Sequence, residues 1–538
     1  AMPLATILQP VDLGFKRTRF DLGASLFADE NWTHRINLRH DVRDGTQRVA
    51  GSFFTSAAHL AAPVDQVTDQ LEVSTSYHSR LWQATLAYHG SVFRNGSEAL
   101  TWSNPFSPVV AGSTSGQLAL APSNQFHQIM ASAGYQISPT VRASAEVAVG
   151  RMTQDAAYLA LTTNTSLLVP AVPAQSLQGR ANTLNASLRL TAAPHESLRL
   201  NASYARDERD NQTPAALYPT LATDMFLGLP RSNQPYSFTQ DQFKLSADHR
   251  GPGSLKTSVG AEHDTRQRTL QEAETTREAT LWGRVAVQPL NMVSLALKLS
   301  HAERNAAEYL SVAAIVPAEN PLLRKYNMAD RKRDSAGLRA DITAAENLSI
   351  GLNVDIANDD YSHSTIGLLD GRSVNVGADV SIAVDDQTQL NLFAQAERIR
   401  SRQAGSQLFA QPDWTGRAKD AVELVGVGLK HTALKGKLEI GADLALSRSR
   451  SDVTVEAAAL SPAFPRATTL LDSFKLRATY RLNEQLSLTG SYWYERYEAQ
   501  DWRFDGVLPA TIPNLLAFGE QAPRYTVNVV QLALRYRF

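Results

Sequence analysis

The sequence predicts a single large antiparallel transmembrane β-barrel, on three observations. Apolar and polar residues alternate with a period of two along many segments. Those segments are joined in turn by short turns and long loops. The last segment, Leu532-Ala533-Leu534-Arg535-Tyr536-Arg537-Phe538, ends in an aromatic. One face of it carries Leu532, Leu534, Tyr536 and Phe538; the other carries Gln531, Ala533, Arg535 and Arg537. Barrel strands show alternate residues to lipid and to lumen, so this pattern is their signature. The four apolar residues read as a C-terminal barrel-assembly signal.

Taken in order, strands are expected near 17–27, 32–44, 67–79, 82–94, 125–137, 141–153, 182–193, 197–209, 236–249, 255–269, 275–288, 293–305, 334–345, 348–361, 371–384, 388–401, 418–431, 436–450, 469–482, 485–499 and 525–538. The alternation is cleanest in four of them. Leu184, Ala186, Leu188 and Leu190 interleave with Asn185, Ser187, Arg189 and Thr191. After the turn His195-Glu196-Ser197, Leu198, Leu200, Ala202 and Tyr204 interleave with Arg199, Asn201 and Ser203. Leu348, Ile350, Leu352, Val354 and Ile356 oppose Ser349, Asn353 and Asp355, and Leu438 to Leu446 oppose Lys437, Glu439, Asp443 and Ser447. A helical period would mix Leu and Arg on one stripe. Short turns fall at Ser138-Pro139-Thr140, Gly251-Pro252-Gly253 and Asp385-Asp386-Gln387, and long loops at 95–124, 154–181, 210–235, 306–333 and 500–524. Short turns are periplasmic and long loops external in outer-membrane barrels. Trp82, Tyr88, Tyr204, Tyr492, Tyr494 and Tyr497 are expected towards strand ends as an interfacial girdle.

The count of 21 strands is odd, whereas bacterial single-chain barrels are usually even. The first strand also enters from the external side. Strands ahead of residue 1 are therefore expected, with Val49–Ala58 as the other candidate for a strand not counted. The expected architecture is at least 21–22 visible strands within one barrel domain, residues 1–538, in the Gram-negative outer membrane.

Composition narrows the function. The 538 residues carry a net charge of -1 and no cysteine. Near-neutrality argues against nucleic acid. Zero Cys removes disulfides, CxxC redox chemistry and CxxCH haem attachment. No apolar run approaches the roughly 20 residues of a membrane-crossing helix. The start Ala1-Met2-Pro3-Leu4-Ala5 shows no signal peptide, so a mature or truncated chain is expected. The 12 histidines are scattered without ligand spacing. Asp207-Glu208-Arg209-Asp210-Asn211 could hold a divalent cation in an external loop, but a solvated charged loop is the plainer reading. Asp41, Asp44 and Gly45 match only part of a calcium loop. No GxSxG, Walker or HExxH motif occurs, so no catalytic, cofactor-binding or metal site is assigned, and no enzyme is expected.

Size adds a constraint. Barrels of about 22 strands usually hold a plug. No globular segment precedes Arg17, and no loop is long enough to fill such a lumen, so any plug is expected to be another polypeptide. The inward residues Arg189, Arg199, Arg339, Asp341, Asp355, Glu439, Asp443, Arg535 and Arg537 are the candidate partner contacts. A water-filled lumen would explain their mixed charge equally well.

Certain loops are more particular. They include Ala62-Pro63-Val64-Asp65 with Thr68-Asp69-Gln70-Leu71-Glu72, Tyr88-His89-Gly90-Ser91-Val92-Phe93, and Leu100-Thr101-Trp102-Ser103-Asn104-Pro105-Phe106. Gly116-Gln117-Leu118-Ala119-Leu120-Ala121-Pro122, Pro235-Tyr236-Ser237-Phe238 and Arg324-Lys325-Tyr326-Asn327-Met328-Ala329-Asp330-Arg331 follow in the same order. In these the chain resembles the MtrB/PioB family of decahaem-associated outer-membrane barrels, from about Leu8 to Phe538. The resemblance implies a barrel of about 26 strands that sheathes a periplasmic multihaem (decahaem) c-type cytochrome. It also implies an extracellular multihaem cytochrome on the outer loops, and electron transfer across the outer membrane in metal reduction or iron oxidation. Haem c would belong to the partners, with none on this chain. The additional N-terminal strands and the CxxC motif of some members are not seen here. The alternative is a large general or substrate-specific diffusion porin.

Overall fold

The computed structural model describes residues 9–53, 55–106, 110–310, 319–457, 464–519 and 522–537. Alternation becomes a sheet because each backbone group in lipid needs a partner, and neighbouring strands supply it. One sheet holds 23 strands, two of which are two-residue pairings in loops. The other 21 form the wall, each antiparallel to the next in chain order. They are β1 (Gly14–Phe27), β2 (Trp32–Phe53), β3 (Ser56–His78), β4 (Trp82–Asn95), β5 (Asn124–Ser138), β6 (Val141–Gln154) and β7 (Gly179–His195). Then come β8 (Leu198–Asn211), β9 (Phe238–Arg250), β10 (Lys256–Arg268), β11 (Thr275–Leu290), β12 (Val293–Ala306), β13 (Arg331–Ala345) and β14 (Leu348–Asp360). The last are β15 (Ile366–Asp385), β16 (Thr388–Gly405), β17 (Trp414–Ala433), β18 (Leu438–Ala457), β19 (Ala467–Arg481), β20 (Leu486–Gln500) and β21 (Arg524–Tyr536).

The register sorts side chains onto two faces. Leu338, Leu352 and Val354 share the outward face with Leu281 and Leu245. Leu281 is 65% exposed and Leu245 61%, values that make sense only if lipid covers them. At the short-turn end Trp82 stacks on Tyr135 at 4.3 Å and Trp32 lies 5.0 Å from Tyr77, a girdle at the periplasmic interface. The expected girdle holds at Trp82. Tyr88, Tyr204, Tyr492 and Tyr494 lie mid-strand on the outward face, Tyr204 and Tyr494 each two residues short of an outward arginine, Arg206 and Arg496, at the external edge of the apolar band, whereas Tyr497 points inward against Tyr525 at 5.2 Å.

Strands run further outward than their alternation. β2 and β3 stay paired from Trp32–Tyr77 to Phe53–Ser56, beyond the last contacts of β1 and β4. Val49–Ala58 is therefore no separate strand but the tip of this hairpin, projecting roughly 30 Å past its neighbours. Likewise β15, β17 and β18 exceed the ranges expected for them. Above the membrane both faces are wet, so the period-two signal vanishes while pairing continues.

The largest buried side chains lie in these external parts: Phe53, Met328 and Asn164. Trp102 packs edge-on against Phe53 at 6.0 Å. Asn164 donates to the carbonyls of Ala111 (3.1 Å) and Asp224 (2.9 Å), tying three long connections together. Leu515–Leu516, in the connection from β20 to β21, pairs with Ala57–Ala58 of β3. This contact joins opposite ends of the sheet, so the wall curls round on itself. Among the described residues β1 and β21 each pair on one side only.

A clamp on the buried Glu272 holds Leu310 and residues 319–330 of the connection that follows β12. Lys325 Nζ lies 2.5 Å from Glu272 and 2.9 Å from Glu319, and Leu310 donates to the Glu272 carbonyl. Burial pushes the Glu272 carboxyl up, but the Lys325 ammonium outweighs it and holds it below its usual 4.5. Burial likewise lowers Lys325, and the two glutamates more than reverse that. A carboxyl held low in the folded state adds stability above its unfolded pKa, and this is lost as pH falls through the folded value. Hydrogen exchange, corrected for intrinsic rates, should therefore show protected amides at Leu310 and in 319–330 at neutral pH and loss of protection below about pH 4.5. Lys325→Met should lose that protection already at neutral pH.

The two faces make a second expectation. Leu352→Arg should destabilise the wall by about 2–4 kcal/mol in urea unfolding in lipid, whereas Asn353→Arg, one residue on, should cost under about 1 kcal/mol. Equal costs would contradict the assigned faces.

Candidate functional site

The candidate site is the inward face of the wall. One lateral row runs Arg199, Asp248, Ser258, Arg284, Lys298, Gly337, Asp355, Asn375 and Glu397 across nine strands. Arg189 faces Ser203 and Ser144, and Ser203 faces Lys244, which pairs with Glu262 at 3.1 Å. Arg339 binds Asp341 two residues on at 2.8 Å. Glu439 lies 3.6 Å from Lys430, and Asp443 faces Lys475. Arg535 faces Ser487, while the Arg537 backbone donates to Gln485 at the end of the last strand. All nine candidate residues thus fall on one face. They are spread round it and converge on no single point. Leu532, Leu534 and Tyr536 lie on the opposite, outward face, and Phe538 is outside the described residues.

Several inward groups escaped the sequence reading. Asp41 accepts from Arg17 (2.5 Å) and Arg19 (3.0 Å), and Asp21 from Arg39 (2.6 Å). Asp41 and Asp44 point to opposite faces of β2, so they form no calcium loop. Asp207 and Glu208 likewise lie in strand β8 rather than in a loop. Asp207 faces inward with Asn185, and Glu208 faces outward with Arg206. Among the described residues no group of three or more His, Asp or Glu could hold a metal ion. Lys244, Arg284, Lys298 and Lys475 share this face too, and they are found only by carrying the face of one clean strand across its register to the next.

The wall also has low relief. Asp355 lies over Gly337, Asp379 over Gly351, Asn353 over Gly377 and Asp443 over Gly428, where an added Cβ would meet those side chains at 2.3–2.9 Å. Glycine lets each acid or amide fold flat along the neighbouring strand. A polar recess of about 700 Å³, lined by Ser76, Thr85, Arg142, Glu146, Arg189 and Lys244, opens on this face. Ser76 bonds Thr85 at 3.0 Å and Thr479 bonds Thr489 at 3.1 Å, so small hydroxyls satisfy one another between the charges.

An apolar outer band, a charged inner face, short turns at one end and long connections at the other define an outer-membrane β-barrel. Solved barrels agree in fold. The outer membrane transporter YddB from Escherichia coli superposes with a TM-score of 0.54 over 97% of this chain and 76% of that one, at 8% identity. The ferric-catecholate import receptor Fiu from E. coli gives 0.52 over 97% and 80%, at 10% identity. These likenesses concern fold alone. A family model described as outer membrane beta-barrel porin, MtrB/PioB, matches residues 2–538. Outer membrane protein MtrB of Shewanella baltica is 30% identical over 531 residues, spanning 98% of this chain and 75% of that protein. The chain belongs to the MtrB/PioB family and resides in the outer membrane.

The inward pair of Arg339 and Asp341 is half exposed, Arg339 by 54% and Asp341 by 49%. Exposed pairs contribute little to stability. Arg339→Gln and Asp443→Asn should each shift urea unfolding by less than about 1 kcal/mol, leaving any larger effect on a bound partner attributable to recognition.

Proposed function

We propose that this barrel sheathes and insulates a periplasmic multihaem c-type cytochrome, so forming a conduit for extracellular electron transfer. The observation that carries this reading is the inner wall: wide, low in relief and mixed in charge. With strands about 4.8 Å apart and tilted by about 40°, a wall of this many strands is roughly 40 Å across its backbone. A bore of that size accommodates a folded polypeptide. Flat glycine-backed acids leave room along the wall, and basic groups beside them offer contacts to a hydrophilic partner of either sign. Membership of the MtrB/PioB family supports the same reading.

The barrel's own part is passive, and no enzymatic step is assigned to it. Thioether-linked haem requires cysteine, and the chain has none. Haem c would therefore be carried by the partners: a decahaem-type cytochrome in the lumen, and an extracellular multihaem cytochrome on the outer loops. The wall supplies exclusion of lipid and a polar surface that orients the cytochrome.

The test is native purification in mild detergent, with an absorption spectrum and haem staining of the separated bands. A c-type Soret band on a copurifying polypeptide of different size is the expected result. The family description as porin favours a second reading, diffusion through an open lumen. A colourless barrel that conducts ions alone would establish that reading instead. Charge reversal at Arg199, Arg339, Asp341, Asp355, Glu439 and Asp443 together should lower cytochrome retention by about tenfold or more while heat-modifiable migration is kept. Unchanged copurification would refute the role of these residues.

A further inference from the structure

Just above the apolar band, the outward face of β15–β18 is basic. Along β16 the outward residues read Leu390, Leu392, Ala394, Ala396, then Arg398, Arg400 and Arg402. Arg372, Arg400 and Lys419 lie directly opposite one another across three strands. Nearer the loops Arg402 faces Arg417. Nearer the band Arg398 and Arg450 flank Ala421, and Arg448 faces Glu423. All eight cations are exposed.

Local acids do not balance them. Asp370 takes Arg402 at 2.7 Å, Glu423 takes Arg450 at 2.9 Å, and Glu456 lies 3.6 Å from Arg417. Asp452 is bound to Arg466 at 2.8 Å. Among the described residues, Arg372, Arg398, Arg400, Lys419 and Arg448 have no carboxylate within ion-pairing distance. Like charges directly opposite on adjacent strands are destabilising. Elsewhere round the wall the same height is mixed: His301 with Asp334 at 2.6 Å, Arg206 with Glu208 at 2.7 Å, Arg496 with Glu498 at 2.8 Å. A lone arginine here would be explained by snorkelling to water. A contiguous patch four strands and roughly 15 Å wide calls for a polyanion.

We infer that this patch binds phosphate-bearing glycolipid headgroups of the outer leaflet. It faces away from the lumen, so the lumenal partner does not reach it. It sits where the apolar band ends on the long-loop side, which is headgroup height. Guanidinium groups bind phosphate with paired, charge-assisted hydrogen bonds, and several on adjacent strands can share one multiply phosphorylated headgroup.

The test uses the full chain in nanodiscs of phosphatidylcholine doped with bisphosphoryl lipid A or, in a parallel arm, phosphatidylglycerol. Lipid retained per barrel after a detergent wash is measured by mass spectrometry. The variant Arg372→Gln/Arg398→Gln/Arg400→Gln/Lys419→Gln/Arg448→Gln should lose about fivefold or more of the retained lipid A, since its charge-assisted bonds are gone. The inward-face control Arg284→Gln/Lys298→Gln/Lys430→Gln should retain it. Heat-modifiable migration reports folding, and Arg400→Gln/Lys419→Gln is the smaller variant should the larger one fail to fold. Equal retention by variant and parent would overturn the inference. Retention of phosphatidylglycerol as strong as that of lipid A would overturn its assignment to glycolipid.

Discussion

The structure depends on one constraint: within hydrocarbon, each backbone N–H and C=O must find a partner in the next strand. That requirement makes the wall continuous from β1 to β21 and antiparallel throughout. It also fixes the register, since a slip by one residue would turn a row such as Leu338, Val354 and Val376 inward and expose Asp355 to lipid. Side chains then choose only which face is wet. β1 and β21 both run towards the short-turn end, so a direct seam between them would be parallel. The pairing of Leu515–Leu516 with β3 already brings those two ends of the sheet together outside the membrane.

The same constraint explains what was legible in the sequence. Where lipid covers one face, as along β14 and the inner half of β18, every second residue is apolar and the strand can be read directly. The signal stops at the headgroups while pairing continues. That is why the β2–β3 tip looked like a possible extra strand, and why Asp207 and Glu208 looked like a loop. The inward rows were half legible. Arg199 and Asp355 lie in clean strands and were found, but Lys298 and Arg284, in the same row, needed a register that sequence does not print. The glycines under Asp355, Asp379 and Asp443 could not be read at all, because their meaning lies in the strand beside them.

Three zones follow along each strand. The lowest is the aromatic and apolar band. Above it the outward face turns polar, basic on β15–β18 and mixed elsewhere. Beyond that, the long connections leave the sheet and bind one another through Asn164, Trp102 and the Glu272–Lys325 clamp. The external end thus has the close-packed side chains a soluble domain would have, while the membrane zone relies on pairing and lipid. Changes in the loops and changes in the wall should therefore be separable in their effects.

The inner face sets what such a wall can be used for. A pore selects solutes by narrowing, with long side chains or a folded loop brought to a point. Here the inward charges are spread laterally round the wall, and Asp355, Asp379 and Asp443 lie flat over glycine. Cations such as Lys298 and Lys475 lean on Trp282 and Trp493, at 5.3 and 5.1 Å. Side chains held down against their own wall reduce relief and leave charge available at the surface. That arrangement suits a long contact with one hydrophilic body better than a short contact with many small ones. This is the ground on which a sheath is proposed ahead of a channel.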